Sequence, residues 1–409
     1  MSADQRNSPG GTNPGSQSAL RELNEERVLA MLRSHGTLTQ AALARATGLS
    51  TATISNIVKS LVAASRVEAT PTTSSGRRAM GVSVIDAADI AVGIDFGRSH
   101  VRVVLARSGF RLLGEEHTAL PVGHRAEESI TVAADMLKKL RADHGIEHNQ
   151  LLGAGIGIPG PIDHRSMTVI RGAILPEWVG IDIESQLQAA LDLPVFIDND
   201  SNLGALAQIT WGEHQICSNL CFLKIGSGIG SGLILNGSLH YGSIGVTGEI
   251  GHSTIFDQGL ICRCGNRGCL ETVASTGIVI ELLSRAEGVP ITIENIIDRA
   301  HAGDSATLRI IGDVGAAVGH ALANVANLLS PEVIVIGGPL APLGEILLEP
   351  IRRGLLRHAI PVIGENTAVC MALLGDRAEA LGAAALVLRR DQASAFGAPS
   401  SRTVQESLR

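Results

Sequence analysis

The amino-acid sequence predicts an α/β protein in which a small N-terminal head precedes a duplicated α/β domain with a cleft between its two lobes. The pattern changes once, near residues 80–90, from short amphipathic helices to strand-like runs that alternate with helices. Two strand–glycine turn–strand segments, IAVGIDFGRSHVRVVLA and LCFLKIGSGIGSGLILNG, lie about 130 residues apart, as a duplication would place them. The length of 409 residues leaves room for two or three domains with buried cores.

Three helices are predicted in the head. The first covers about 24–34, where one face is apolar: Val28, Leu29 and Leu32. Thr39 is a suitable N-cap for the second helix, QAALARAT, which stops at Gly48. Ser50 is a suitable N-cap for the third, TATISNIVKSLVAA, whose inward residues are Ile54, Ile57 and Leu61.

After the third helix, residues 66–84 indicate a strand, the turn TTSSGRRAM and a returning strand. Helix, glycine-containing turn, helix and basic hairpin are the layout of a winged helix-turn-helix. Any small three-helix bundle is the alternative, but the basic turn and the polar outer face of the third helix favour DNA binding. The predicted DNA contacts are Ser50, Thr51, Thr53, Ser55, Asn56 and Lys59 on the helix and Arg77 and Arg78 in the wing.

Charge separates the head from the rest of the chain. The whole chain has a formal net charge of −7, whereas residues 21–81 carry eight Lys or Arg and four acids. The head is therefore basic and the remainder acidic, which is typical of a DNA-binding module attached to another domain, although a few solvated arginines give the same sign.

Composition excludes several other classes. Only six Phe, two Trp and one Tyr are present, too few for a platform that stacks single-stranded bases. No apolar run reaches the roughly 18 residues that span a bilayer, and the N-terminus lacks the apolar core of a signal peptide. We therefore expect a soluble, cytoplasmic protein with no membrane partner.

The strongest local signal is GEIGH at 248–252 followed by CRCGNRGCLE at 262–271. His252, Cys262, Cys264 and Cys269 form a Cys₃His set that suits tetrahedral zinc, with three free buried thiols as the alternative. Four protein ligands would close the coordination sphere, so the predicted zinc ion is structural.

Two further segments place polar groups beside the predicted cleft. The glycine turn 226–232 could present backbone N–H groups to an anion, or be only a tight bend. Asp198, Asn199 and Asp200 end a buried strand, where a carboxylate can accept a proton from a hydroxyl; helix capping by Asp200 or Ser201 is the alternative. Glu249 and Glu271 flank the metal motif, and these acids favour an unphosphorylated, polyhydroxylated ligand.

The motifs GIDFG, GIPGPID, IDNDSN, IGSGIGSGLILNG, GEIGH and CRCGNRGCLE, in this order, resemble the ROK family of repressors and sugar kinases over about residues 20–390. With the predicted head, the chain resembles the branch of regulators that respond to xylose or N-acetylglucosamine. The resemblance implies a two-lobed, actin-like ATPase fold with sugar in the cleft and zinc ordering the sugar loop. It assigns sugar contacts to Asn199, Asp200, Glu249, His252 and Glu271, with Asp200 as the catalytic base of any kinase activity.

The resemblance also implies phosphate-binding or ATP-binding loops, at Asp95, Gly97 and Ser99, at Gly226, Ser227, Gly228 and Gly230, and at Gly337 and Gly338. In kinase members a glycine usually stands where this chain has Arg98. A Cβ and a long side chain there would misalign ATP and Mg²⁺. We therefore expect sugar binding to be retained and kinase activity to be weak or absent.

These observations predict a sugar-responsive DNA-binding transcriptional regulator, a repressor of genes for carbohydrate uptake or metabolism. A homodimer or homotetramer would read a pseudo-palindromic operator and respond to a small neutral sugar. The predicted boundaries are a disordered lead-in at 1–18, the winged helix-turn-helix at 19–86, the sugar domain at 87–390 with its zinc loop at about 248–271, and a flexible tail at 391–409. An ATP-dependent sugar kinase with an attached head, and a regulator controlled by a protein partner, are the alternatives.

Overall fold

A computed structural model describes residues 24–25, 27–29, 31–32, 37–63, 66–74, 77–84, 89–163, 168–169 and 174–395, without the side chains of 72–79, 163 and 392–395. The predicted lead-in at 1–18 lies outside these ranges. The chain divides into two compact units. One contains Met1–Asp89, Arg107–Arg111 and Leu388–Arg409, and the other contains Ile90–Ala106 and Leu112–Val387.

The head contains the predicted helices and hairpin. Residues 24–25, 27–29 and 31–32 are helical, and the elements that follow are β1 (Leu38–Thr39), α1 (Gln40–Thr47), α2 (Thr51–Ala63), β2 (Val67–Ser74) and β3 (Arg77–Val84). Thr39 Oγ1 accepts from the Ala42 N–H at 3.2 Å, and Gly48 ends α1 at φ +71°. Ser50 Oγ accepts from the Thr53 N–H at 3.1 Å. Both predicted N-caps are therefore confirmed.

The core of the head is formed by the apolar residues that the helical spacing predicts to face inward. Val28, Leu29, Leu32, Ile54, Ile57 and Leu61 are all at most 4% exposed. They pack with Leu43, Val58, Val67 and Val82, so the helices and the hairpin share one core.

The wing differs from its prediction. The strands pair from Val67 with Val84 as far as Ser74 with Arg77, which leaves only residues 75–76 between them. The predicted turn TTSSGRRAM over 72–80 is therefore mostly strand, because its β-branched threonines extend the ladder. Pro71 is compatible with β2 because the sheet order β1-β3-β2 makes it an edge strand, where a missing N–H is tolerated.

The larger unit contains two five-stranded sheets. The first half comprises β4 (Ile90–Phe96), β5 (His100–Arg107), β6 (Arg111–Ala119), α3 (Ala126–His144), β7 (Leu151–Ile158), β8 (Ile162–Asp163), β9 (Thr168–Val169), α4 (Ile183–Leu191), β10 (Val195–Asn199) and α5 (Asp200–Gln208). The second half comprises β11 (Leu220–Ile225), β12 (Ile229–Leu235), β13 (Ser238–Leu239), α6 (Glu271–Ala274), α7 (Thr276–Glu287), α8 (Ile293–His301), α9 (Ser305–Leu329), β14 (Val333–Gly337), α10 (Glu345–His358), α11 (Pro361–Asn366), β15 (Ala368–Met371) and α12 (Ala378–Ala395).

The two sheets have the same connectivity. Their strand orders are β10-β7-β4-β5-β6 and β13-β12-β11-β14-β15. In each sheet the first strand is central, the second and third lie on one side, and the fourth and fifth lie on the other. The predicted duplication is therefore confirmed. Among the described residues, no helix combines the length and the hydropathy that crossing a bilayer requires.

The last helix, α12, packs closely on its neighbours and runs past the predicted start of the tail at 391. A Cβ built on Gly93 or Gly155 would overlap the carbonyl oxygens of Ala380 and Ala383, so glycine is what allows the helix to lie against β4 and β7. The helix continues to Ala395, and residues 396–409 lie outside the described ranges.

Parallel pairing brings the chemically important strand ends to one edge. In the first sheet β4, β7 and β10 are parallel, with Asp95 opposite Gly157 and Asn199 opposite Ile158. In the second sheet β11 and β14 are parallel, with Lys224 opposite Gly337. Ligands of open α/β sheets bind at the carboxyl ends of such strands.

Candidate functional site

One cavity of about 250 Å³ gathers most of the residues that the sequence predicts to contact sugar or phosphate. Its lining includes every predicted sugar contact: Asn199, Asp200, Glu249, His252 and Glu271. Its lining also includes both glycine turns, through Gly97, Ser99, Gly226, Ser227, Gly228 and Gly230. Asp95, Gly337 and Gly338 are not among the lining residues, although Pro339 is. The volume lies below the roughly 300–1,000 Å³ of pockets for drug-sized ligands, so it suits a small molecule.

Asn199 is the N-cap of α5 and borders the cavity. Its Oδ1 accepts from the Ser201 N–H at 2.8 Å, and its Nδ2 donates to the Gly160 carbonyl at 2.9 Å. The cap is therefore Asn199, rather than Asp200 or Ser201 as the capping alternative supposes. Asp198 is turned into the protein, where it accepts from Tyr241 Oη at 2.6 Å and from Asn202 Nδ2 at 2.9 Å.

Asp200 begins α5 and is 7% exposed. Its Oδ1 accepts from the Ser201 N–H at 2.8 Å, and its Oδ2 accepts from Lys224 Nζ at 2.9 Å. Lys224 also contacts Glu379 Oε1 at 3.0 Å. The carboxylate is therefore held from two sides while it still borders the cavity.

The metal motif carries the remaining predicted sugar contacts. Glu249 Oε2 lies 3.7 Å from His252 Nε2, and Arg263 donates to Glu271 Oε2 at 2.6 Å. Burial, together with the negative charges of Asp200 and Glu271, raises the pKa of Glu249 to about 7. Arg263 also lines the cavity. The expectation of an unphosphorylated ligand rested on the acids alone, and the positive charge of this guanidinium weakens it.

His252, Cys262, Cys264 and Cys269 meet at one point, as their spacing predicts. Their ligand atoms all lie within 4.8 Å of one another. His252 Nδ1 is 3.6 Å from Cys262 Sγ, and the sulfurs of Cys264 and Cys269 are 3.7 Å apart. Sulfurs bound tetrahedrally to zinc at about 2.3 Å lie about 3.8 Å apart. The donor set and its size therefore fit a closed, four-coordinate metal ion.

Side chains cover the backbone of the first glycine turn. Asp95 is 1% exposed, and its Oδ2 is 2.9 Å from His100 Nε2. The His100 ring covers Gly97, because a Cβ at that position would overlap the imidazole. The buried His124 donates to the Gly97 carbonyl at 3.0 Å. Arg98 is exposed at the cavity, so the side chain that covers the turn is His100 rather than Arg98.

The second glycine turn uses part of its backbone internally. The Gly226 N–H donates to the Gly228 carbonyl at 2.9 Å, and the Ile229 N–H donates to Glu271 Oε2 at 3.2 Å. Fewer N–H groups therefore face an anion than the sequence pattern suggests. Glu271 instead connects this turn to the metal motif.

In the head, α2 presents a polar face. Ser50, Thr51, Asn56 and Lys59 are exposed, and Thr53 and Ser55 are half-buried. Ser50 is also engaged as the N-cap. Arg77 and Arg78 lie at the start of β3, next to the turn, and their side chains are outside the described residues.

Sequence reasoning missed three cavity residues. Lys224 is the only charged residue in the apolar strand LCFLKI, directly before a glycine turn, and this isolated charge was the available signal. Arg263 stands between two metal ligands, and His100 follows the first glycine turn. Nothing local indicated that these three side chains would contact Asp200, Glu271 and Asp95, respectively.

Comparisons with known proteins agree with this architecture. The model of the ROK family matches residues 91–390, and the model of the MarR family matches residues 23–78. The chain is 29% identical to the xylose repressor of Caldicellulosiruptor bescii over 389 residues, which cover 91% of this chain and 97% of that repressor.

Two solved structures extend the comparison. A ROK family transcriptional regulator, a homologue of the Escherichia coli Mlc protein, superposes with a TM-score of 0.74 at 25% identity over 92% of this chain and 98% of that chain. A ROK family glucokinase from Streptomyces griseus, in complex with glucose and AMPPNP, gives 0.65 at 26% identity over 73% and 98%. The family model covers well over half of the sequence, and on this basis the chain belongs to the ROK family.

Proposed function

We propose that the protein is a sugar-responsive DNA-binding repressor of genes for carbohydrate uptake or metabolism. The observation that carries the proposal is the joining, in one chain, of a winged helix-turn-helix head to a ROK domain whose cavity gathers the five predicted sugar contacts. The likeness to a xylose repressor over 91% of the chain supports it.

The effector in this proposal is a small neutral sugar. Asn199, Asp200 and Glu249 offer oxygens that accept hydrogen bonds from hydroxyl groups. Of the Lys and Arg residues that line the cavity, Lys224 and Arg263 are already paired with carboxylates, which leaves Arg98 as the charge that would have to attract a phosphorylated ligand. The second nitrogen of His252 would face the sugar while Nδ1 binds the metal.

A structural Zn²⁺ ion is the proposed cofactor. His252, Cys262, Cys264 and Cys269 would hold it, and the ion would order the loop at about 248–271 that carries Glu249 and Glu271. ATP and Mg²⁺ are not part of the proposal.

On DNA, α2 would enter the major groove, and Arg77 and Arg78 of the wing would contact the backbone or the adjacent minor groove. The DNA-binding domain would span 19–86 and the sugar domain 87–390. A homodimer or homotetramer would place two heads on a pseudo-palindromic operator. Sugar binding would change the closure of the lobes and with it the spacing of the heads.

Fluorescence anisotropy at fixed salt tests the proposal. The full chain is titrated onto its own upstream DNA with and without D-xylose, D-glucose or N-acetyl-D-glucosamine. We expect tight binding that one sugar weakens, and by linkage DNA must weaken sugar binding by the same factor. Asp200→Asn should retain DNA binding and lose the response to sugar. Equal sugar affinity of free and DNA-bound protein would contradict the proposal.

A sugar kinase is the second candidate, because the chain resembles a glucokinase structure and Asp200 borders the cavity where a base would act. An ATP-turnover assay with the same sugars separates the two functions. Turnover that Asp200→Asn abolishes would establish the kinase, whereas the repressor proposal predicts no sugar-dependent turnover.

A further inference from the structure

Three buried carboxylates lie around Lys224, near the end of β11. Asp95 is the penultimate residue of β4, Asp200 begins α5, and Glu379 lies in the first turn of α12. They are 1%, 7% and 5% exposed. Three negative charges in a buried space repel one another and lose their hydration, so the arrangement requires a cation. Burial and the charges of Asp95 and Asp200 raise the pKa of Glu379, although Lys224 opposes this shift.

Lys224 supplies this cation. Its Nζ lies 2.9 Å from Asp200 Oδ2 and 3.0 Å from Glu379 Oε1, and its side chain is 17% exposed. Burial alone lowers the pKa of Lys224, but the three carboxylates raise it well above its ordinary value. Glycines at the paired positions of both neighbouring strands, Gly230 and Gly337, leave its side chain without a cross-strand neighbour.

The third carboxylate is only partly satisfied. Asp95 Oδ2 is bound by His100, whereas its buried Oδ1 has no hydrogen-bond partner among the described residues. The charges of Lys224, His100 and Arg102 all lower the pKa of Asp95 against the opposing effect of burial. The basic side chains around Asp95 therefore offset part of the cost of burying its carboxylate.

We propose that Lys224 is a built-in cation that takes the place of a divalent metal ion among these three carboxylates and holds Asp200 in position. Nucleotide-dependent phosphoryl transfer places metal ions between the phosphates and the protein carboxylates. Here the ammonium group contacts Asp200 and Glu379 directly, so Asp200 is held beside the cavity without metal or nucleotide. The inference rests on the proposed sugar-binding role of Asp200, and it makes Lys224 a positioning residue.

The test uses the zinc-saturated full chain and thermal denaturation with and without Mn²⁺. Lys224→Met removes the charge and keeps the length of the side chain, and Lys138→Met, on the exposed face of α3, is the matched control. We expect Mn²⁺ to raise the melting temperature of Lys224→Met and to leave wild type and Lys138→Met unchanged, because a ligand stabilises only the fold that binds it.

A second substitution separates charge from packing. In wild type, Glu379→Gln removes a partner of Lys224 and should not stabilise the chain. In Lys224→Met it removes one uncompensated buried charge, so it should raise the melting temperature. A variant Lys224→Met that folds only with Mn²⁺ or with Glu379→Gln would equally support the proposal.

Two results would overturn it. One is that Mn²⁺ raises the melting temperature of the wild-type chain and that Asp200→Asn abolishes this increase. The other is a Lys224→Met variant that responds neither to Mn²⁺ nor to Glu379→Gln. Neither readout involves DNA or sugar, so failure of this inference is distinguishable from failure of the repressor function.

Discussion

Cys269 is fully buried and Cys264 is exposed, and their sulfurs lie 3.7 Å apart. The Cys₃His cluster therefore connects the surface of the loop to its interior. We expect Cys269→Ser to reduce bound zinc from about one ion per chain to nearly none, because a structural site needs all four ligands. Metal analysis by atomic absorption measures this directly, and proteolysis within the loop at about 248–271 should become faster.

Cys217→Ser is the control for this prediction. Cys217 is a half-buried free thiol outside the cluster, so its substitution should leave the zinc content unchanged. Zinc retained at full occupancy by Cys269→Ser would show that the cluster is not the metal site.

At the residue scale, separation along the chain decided what the sequence could predict. His252, Cys262, Cys264 and Cys269, the predicted metal ligands, lie within one short segment, so their spacing alone predicted that they would meet. Lys224 and Glu379 are far apart in the sequence, and only the fold brings them to 3.0 Å. His100 was part of a recognised turn, but no pattern indicated that its ring would fold back over Gly97.

Among the elements, α2 carries the DNA-binding hypothesis. Lys59 is exposed on this helix, so Lys59→Ala should leave the stability of the head nearly unchanged. Loss of one phosphate contact should weaken operator binding and reduce the slope of log K against log salt by about 1. Anisotropy titrations at several salt concentrations give both quantities.

Lys138→Ala removes the same charge from the exposed face of α3, outside the head, so it controls for net charge. An equal loss of affinity in both variants would mean that Lys59 contributes only through the overall charge of the chain.

The helices of the head were more predictable from the sequence than its wing. N-caps and apolar spacing are local signals, so α1 and α2 begin where Thr39 and Ser50 indicate. The segment 72–80 contains serine and glycine, which are typical of turns, yet most of it pairs as strand. The stability gained by pairing β2 with β3 outweighs the local preference of these residues for a turn.

At the scale of the whole molecule, the close packing of α12 on the first sheet of the larger unit can be tested. Gly155→Ala would place a methyl group against the Ala383 carbonyl, and we expect it to lower the free energy of unfolding by about 1–3 kcal/mol. Gly312→Ala is the matched control in α9, where a Cβ meets nothing within 4 Å and helix propensity predicts a gain of up to about 1 kcal/mol. Chemical denaturation monitored by circular dichroism compares them, and equal stabilities would refute the close packing.

The same helix touches both halves of the larger unit. Gly93 and Gly155 hold it on the first sheet, and Glu379 binds Lys224 of the second. A rotation of one half relative to the other would therefore have its pivot at α12. Displacement grows with distance from a pivot, so Lys224, which α12 contacts directly, would move little during such a rotation. A sugar that closes the two halves would then leave the anchor of Asp200 in place.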